Sequence, residues 1–215
     1  MDQLIQAIPL FLDGAVVTLE LTVVAIFIGL ILGLFLAIGR LSSNAVIKSL
    51  VGFYIWFFRG TPLLLQIWFI YFGFPTLCPA LNVNIFVSGF VALGLNSAAY
   101  LAEIIRAAIQ SIDKGQMEAS KALGMGYGQA MRRIIIPQSY RRLIPPVGNE
   151  FIALLKDSSL VSVIGLTEIM RVATNQASTV GNPVLFVPAA VFYLAMTSIF
   201  TYVFSKLEKK YSVYE

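Results

Sequence analysis

The chain has 215 residues, of which 58% are hydrophobic and 12% charged, with a net charge of +4 and no histidine. A water-soluble domain carries about 25% charged residues, so this chain lacks the polar side chains to cover a solvated surface. The absence of histidine and the single cysteine, Cys78, exclude Ser-His and Cys-His catalysis, histidine-based metal sites and an internal disulfide.

The chain is therefore read as a membrane protein, in which apolar stretches of about 20 residues mark the spans. Its opening, MDQLIQAIPLFLDG, lacks the basic region of a cleaved signal, and the apolar run beyond it is too long for one. The first span is expected to persist in the mature protein. Five spans are predicted, at about 15–38, 51–72, 85–112, 143–164 and 184–204. In the first, Gly29 and Gly33 form a small-xxx-small pair suited to close packing within the chain. In the second, Arg59 beside Gly60-Thr61-Pro62 marks a break, because Pro62 offers no amide hydrogen. Pro75 and Pro79 fall in the next loop, Pro145 and Pro146 open the fourth span, and Pro183 opens the fifth. Glu103 and Arg106 interrupt the third span, and Glu150, Lys156 and Asp157 the fourth. Ionisable groups at such depth face a bundle interior or a polar cavity.

Lysine and arginine cluster after span one (Arg40, Lys48), between spans three and four (Lys114, Lys121, Arg132, Arg133, Arg141, Arg142) and at the end (Lys206, Lys209, Lys210). The loops on the other side hold Arg171 alone. The positive-inside rule then puts the amino terminus outside and the carboxyl terminus in the cytoplasm. The basic balance reports topology, and no nucleic-acid partner is expected.

The stretch between spans three and four, about 113–138, is much longer than a bundle connection. It holds Glu118-Ala119-Ser120, then Gly124, then Ile134-Ile135-Ile136-Pro137. This spacing resembles the EAA loop of ABC-importer permease subunits, departing from it at Ser120 and Ile136. Phe58-Arg59-Gly60-Thr61-Pro62, the segment from Asn96 to Glu103 and the segment from Leu155 to Leu160 look like the permeases for polar amino acids, of the histidine, glutamine and arginine type. The resemblance covers the chain from about Gly14 to Phe204.

It implies an all-α polytopic permease of the type I ABC importer architecture, in a prokaryotic cell membrane, forming one transmembrane domain over residues 1–215. It further implies a short coupling helix, about Gln116 to Leu123, that docks into a separate ATPase subunit. Glu118, Ala119, Ser120, Gly124, Ile134 and Pro137 would form the coupling set. Ala119 is small enough for close docking, Gly124 accepts a helix-ending backbone angle, and Pro137 redirects the chain. The implied partners are two ATPase copies, a second permease copy or a homologous chain related by a two-fold axis, an extracytoplasmic amino-acid-binding protein, the amino acid substrate and membrane lipid. ATP and magnesium belong to the ATPase. This chain has no G-x-x-x-x-G-K-[ST] loop to hold phosphates and is not expected to be an enzyme.

Asn96, Tyr100 and Glu103, spaced four and three apart, share one helix face with Ser97 beside it. A zwitterionic amino acid needs donors for its carboxylate and acceptors for its ammonium, and a cationic side chain needs a further carboxylate. Glu103 and Asp157 suit an ammonium or guanidinium; the hydroxyls of Thr61, Ser158 and Ser159 suit a carboxylate; Arg59 supplies a donor at the break. Arginine, histidine or lysine is the expected substrate, with glutamine or glutamate as the alternative. A second role stands beside each of these. Glu103 would pair with Arg106 or Arg59, Asn96 and Ser97 would bond neighbouring helices, and Tyr100 would pack. Of two rival classes, an ion-coupled transporter would carry its own coupling sites and often inverted repeats, neither of which is apparent. An intramembrane enzyme would need a motif such as H-E-x-x-H or G-x-S-x-G, absent here.

Overall fold

A computed structural model describes residues 2–78 and 84–211, with side chains from residue 7 onward. Pro79, expected in a loop, lies outside the described residues.

The first helix, α1, covers Asp2–Leu41 and runs alongside α5, Ile85–Gln110, in the same direction. Their approach depends on the two glycines of α1. A Cβ on Gly29 would come within 2.9 Å of Ser97 Oγ, and one on Gly33 within 3.1 Å of the Ala98 carbonyl oxygen and the Ala102 nitrogen. The small-residue pair thus serves packing inside the chain, as its spacing suggested.

Helix α2, Ala45–Gly60, starts at Asn44, whose Oδ1 accepts from the amides of Val46 and Ile47 at 2.9 and 3.3 Å. Beyond it the chain turns through 104° and resumes as α3, Leu63–Trp68, a π-helical turn, Phe69–Gly73, and α4, Phe74–Leu77. The break falls at Thr61 and Pro62, both extended, where proline cannot continue the preceding ladder.

After α5 come α6, Lys114–Ala122, and α7, Tyr127–Ala130. A π-helical turn, Met131–Ile135, then leads into α8, Ile136–Asp157. Pro145 and Pro146 lie inside α8 and do not open it, contrary to expectation. An interior proline costs about 3 kcal/mol, and packing on the following two turns outweighs this. There Gly148, Phe151, Leu154 and Leu155 are buried, and the Phe151 ring lies 4.6 Å from that of Phe200 and 5.6 Å from that of Phe204. Pro137 lies just past the π-helical turn, in which the Ile136 amide donates to the Met131 carbonyl, and the helix runs on through it, so it does not redirect the chain as expected.

A 3-10 stretch, Ser158–Ile164, leads to α9, Ile169–Val180, flanked by Gly165 and Gly181 in left-handed backbone at φ +94° and +67°. A second 3-10 turn at Pro183–Leu185 opens α10, Phe186–Tyr211. The core runs along the contact of α1 and α5 into α8 and α9 through Phe11, Leu21, Leu93, Leu101, Leu154 and Ile169.

Among the described residues, three helical segments are long and apolar enough to cross a membrane: Ala7–Leu41, Ile85–Gln110 and Pro183–Tyr211. The bent pair Ala45–Gly60 and Leu63–Leu77 qualifies together as a fourth. Helix α8, in the region expected to form another span, carries Arg141, Arg142, Glu150, Lys156 and Asp157 and is not among them.

Candidate functional site

The bend after α2 leaves backbone carbonyls without helical partners, and two side-chain amides take them up. Gln66, buried on α3, donates through Nε2 to the carbonyl of Phe58 at 2.9 Å, to that of Thr61 at 3.1 Å and to Thr61 Oγ1 at 2.8 Å. Asn96 of α5 donates to the same Phe58 carbonyl at 3.1 Å and to Gln66 Oε1 at 3.0 Å. Thr61 donates in turn to the Phe57 carbonyl at 2.8 Å. Asn96 and Thr61, two of the candidate ligands, are thereby engaged in the bend. Gln66 escaped notice in the sequence; the available signal was a lone amide in the apolar run Leu63-Leu64-Leu65-Gln66-Ile67-Trp68, directly after a predicted break. Thr61 and Gln66 also line a cavity of about 410 Å³ with Phe57, Leu65, Phe69 and Leu95.

Ser97, fully buried, donates to Glu150 Oε1 at 2.9 Å and so links α5 to α8. That is the one protein hydrogen bond to the Glu150 carboxylate among the described residues. Asp157 lies seven residues further along α8, on the same face, half-buried and without a hydrogen bond among the described residues. Glu150 was not among the sequence candidates, although its seven-residue spacing from Asp157 was legible. Ser158 is fully buried and donates to the Leu155 carbonyl at 2.8 Å, whereas Ser159 is half-buried. The Arg59 guanidinium carbon lies 5.1 Å from the centroid of the Tyr100 ring, within cation–π range. Tyr100 is 37% exposed.

Glu103, one turn beyond Tyr100 on α5, takes part in an ion cluster. Arg106 donates Nη2 to Glu103 Oε2 at 2.6 Å and Nε to both carboxylate oxygens at 3.1 and 3.2 Å. It also bonds Gln110. Arg40 of α1 stands 3.8 Å from Glu103 Oε1 and reaches the Lys48 carbonyl at 3.4 Å. Of the two partners suggested for Glu103, Arg106 therefore makes the contact, and Arg59 turns to Tyr100.

A fully buried carboxylate, Glu168, caps α9. It accepts from the amides of Met170 and Arg171 at 2.9 and 2.8 Å and from the Tyr193 hydroxyl at 2.6 Å. Burial pushes its carboxyl above the usual range, and these three donors act against that push. Gly14 of α1 packs on this corner so closely that a Cβ would meet the Ile169 nitrogen at 3.0 Å.

The stretch expected as a coupling loop is folded. Asp113 caps α6 by accepting from the Gly115 amide at 2.7 Å, and Gly124 ends the helical turn at φ +80°. Glu118 and Ala119 are exposed, and Leu123 is 79% exposed. Ser120 is buried and donates to the Gln116 carbonyl at 2.6 Å. Ile134 belongs to the π-helical turn, and its carbonyl accepts from Gln138 at 3.0 Å. Arg142 donates to the Ser111 carbonyl at 2.6 Å, fastening α8 to the end of α5 just before α6.

An exposed short helix on a stapled base, beside a bent span and a polar interior, is the pattern the permease resemblance calls for. Residues 25–213 match the family described as "Binding-protein-dependent transport system inner membrane component". The chain is 41% identical over 209 residues to the arginine transport system permease protein ArtQ of Bacillus subtilis (strain 168), covering 96% of this chain and 94% of that protein. It is 36% identical over 210 residues to the glutamine transport system permease protein GlnP of Escherichia coli (strain K12), covering 96% and 95%. A chain in the "Crystal structure of an amino acid ABC transporter with histidines" superposes with a TM-score of 0.91 at 42% identity, over 96% of each chain. The fold is shared at 19% identity and a TM-score of 0.79 with a chain from the inward-facing MetNI methionine ABC transporter, over 95% and 97%. The chain belongs to the inner membrane components of binding-protein-dependent transport systems, as a permease subunit of the polar-amino-acid ABC type that is not itself catalytic.

Proposed function

We propose that this permease imports basic L-amino acids, namely arginine, histidine or lysine, by alternating access. The observation that carries the reading is the pair Glu150 and Asp157 on one face of α8, of which Glu150 accepts from Ser97 and the Asp157 side chain has no hydrogen bond among the described residues. The seven-residue offset puts their backbone positions about 10 Å apart along the helix, so one carboxylate can face the α-ammonium while the other faces the side-chain cation. Ser97 bonds Glu150, Arg59 lies over the ring of Tyr100 on the same helix as Ser97, and Arg59 is the donor for the substrate carboxylate. Ser159 is a further hydroxyl beside Asp157. Glu103, Asn96, Thr61 and Ser158 hold the scaffold in this reading, since their polar atoms already have partners.

Helix α8 with its 3-10 extension serves as a fifth span whose charges turn away from lipid, and the amino terminus is outside. A second permease copy or a homologous chain completes the path about a two-fold axis. Helix α6 docks, through Glu118, Ala119 and the turn at Gly124, on one of two ATPase subunits that hold ATP and magnesium. Ser120, Ile134 and Pro137 shape its base, and a binding protein delivers substrate from the other face.

The test is equilibrium binding of labelled arginine to the permease–ATPase complex, competed with lysine, histidine, glutamine and glutamate. Basic amino acids should compete best, and Glu150→Gln and Asp157→Asn should each weaken arginine by tenfold or more. Glutamine competing as well as lysine would overturn the basic-substrate reading in favour of a glutamine permease.

A further inference from the structure

A groove of about 730 Å³ lies where the carboxyl-terminal ends of α1 and α5 meet α7 and the start of α8. Its walls include Leu34 and Ile38 of α1, Ile105 and Ile109 of α5, and Ile136 and Leu143 of α8. Hydroxyls gather around it, from Ser42 and Ser43 after α1 and Tyr127 of α7, whereas that of Ser139 on α8 is buried and donates to the Ile135 carbonyl at 2.8 Å.

Two features of the surroundings identify an occupant. Leu34 and Ile38 continue the exposed apolar stripe of α1 that runs through Val23, Phe27 and Ile31. A side chain of this kind in a spanning helix meets acyl chains, so the groove is the end of a lipid-facing surface. The segments forming the groove are also basic. Residues 34–50 hold Arg40 and Lys48 with no acid, although Arg40 faces Glu103 of α5 at 3.8 Å, and residues 127–143 hold four arginines with no acid. Arg132 and Arg133, next to the groove-lining Met131, are exposed. From Leu34 to Leu41 the helix rises about 10 Å, the step from upper acyl chain to headgroup. An apolar floor, hydroxyls at one end and the exposed Arg132 and Arg133 complement an amphiphile with a phosphate head.

We propose that this groove binds one anionic glycerophospholipid, its acyl chain along Leu34 and Ile38 and its phosphate among the hydroxyls of Ser42 and Ser43 and the guanidinium groups of Arg132 and Arg133. The site joins the first span to the base of the coupling segment, so the bound lipid braces α7 and α8 against α1. The assignment is independent of which amino acid is transported.

The experiment is native mass spectrometry of the purified full-length chain after equilibration with equal amounts of phosphatidylglycerol and phosphatidylcholine. One phosphatidylglycerol per chain should survive activation that strips phosphatidylcholine. Ser43→Trp, an exposed position at the mouth, should lower its retention at least fivefold. Arg132→Gln with Arg133→Gln should abolish the preference for phosphatidylglycerol while lipid is still bound. Thermal melting identifies any variant that fails to fold, and the wild-type preference is read without mutation. Equal retention of the two lipids by the wild type would overturn the proposal, as would undiminished retention by folded Ser43→Trp. High-yield disulfide cross-linking of Ile38→Cys to another copy in native membranes would also overturn it, by showing a protein occupant.

Discussion

The Asn96 side chain donates to Gln66 Oε1 at 3.0 Å, joining α5 to α3 across a separation of 30 residues. Both amides also reach the Phe58 carbonyl, so the 104° bend that Pro62 creates is closed by side chains where backbone bonds are lost. Without them the bend would leave buried carbonyls unpaired in an apolar setting, at about 1–3 kcal/mol each.

Asn96→Leu should accordingly lower the stability of the purified chain by about 1–3 kcal/mol. Gln66→Leu in addition should cost less than the sum of the two single changes, because the partners share one network. The check is the thermal midpoint of the three variants in detergent. An unchanged midpoint for Asn96→Leu would remove the knot from the account of the bend.

Gly33→Val should force α1 away from α5, since the first added carbon already meets Leu101 Cβ at 3.0 Å and backbone atoms of Ala98 and Ala102 at 3.1 Å. Backbone cannot step aside as a flexible side chain can, and overpacking of this kind costs about 1–3 kcal/mol. Reduced yield of folded chain and a lower melting midpoint are expected, whereas Leu34→Val on the exposed face of the same helix should be nearly silent.

Glu103→Gln should destabilise the chain and leave its preference between arginine and glutamine unaltered. The substitution weakens the fork from Arg106 and leaves Arg40 and Arg106 facing each other without a carboxylate. Competition binding beside a melting curve separates the roles. A selective loss of arginine binding at an unchanged midpoint would return Glu103 to the substrate path.

Glu118→Lys on the exposed face of α6 should abolish ATP-driven uptake and co-purification of the ATPase while membrane insertion persists. Gly124→Val should weaken the same coupling, because its backbone at φ +80° is strained for any residue with a Cβ, by about 1–2 kcal/mol. Normal uptake by Glu118→Lys would refute the docking role assigned to this helix.

Orientation is open to a direct chemical check. Native Cys78, exposed beyond α4, should react with an impermeant maleimide added from outside whole cells. Ser43→Cys in a Cys78→Ser background should react only after the membrane is opened. Labelling of both positions from one side would overturn the proposed topology.

Much of this organisation is legible in the chain because it depends on local chemistry. Low charge with long apolar runs dictates a membrane environment, Pro62 dictates a break, Gly124 permits a helix end, and Gly29 and Gly33 announce close packing. Each of these starts from what a few consecutive residues can do, and packing then decides whether it is realised. The tertiary structure decided which polar groups are already engaged and which remain open. It bound Glu103 to Arg106 and Asn96 to Gln66, and brought Ser97 to Glu150 across 53 residues. It also carried α8 through Pro145 and Pro146, where local propensity favours a boundary, by burying the turns that follow. Hydrogen-bond and ion-pair partners distant in sequence are chosen by helix packing, and a polar residue in an apolar run shows that it needs a partner without showing which one it meets.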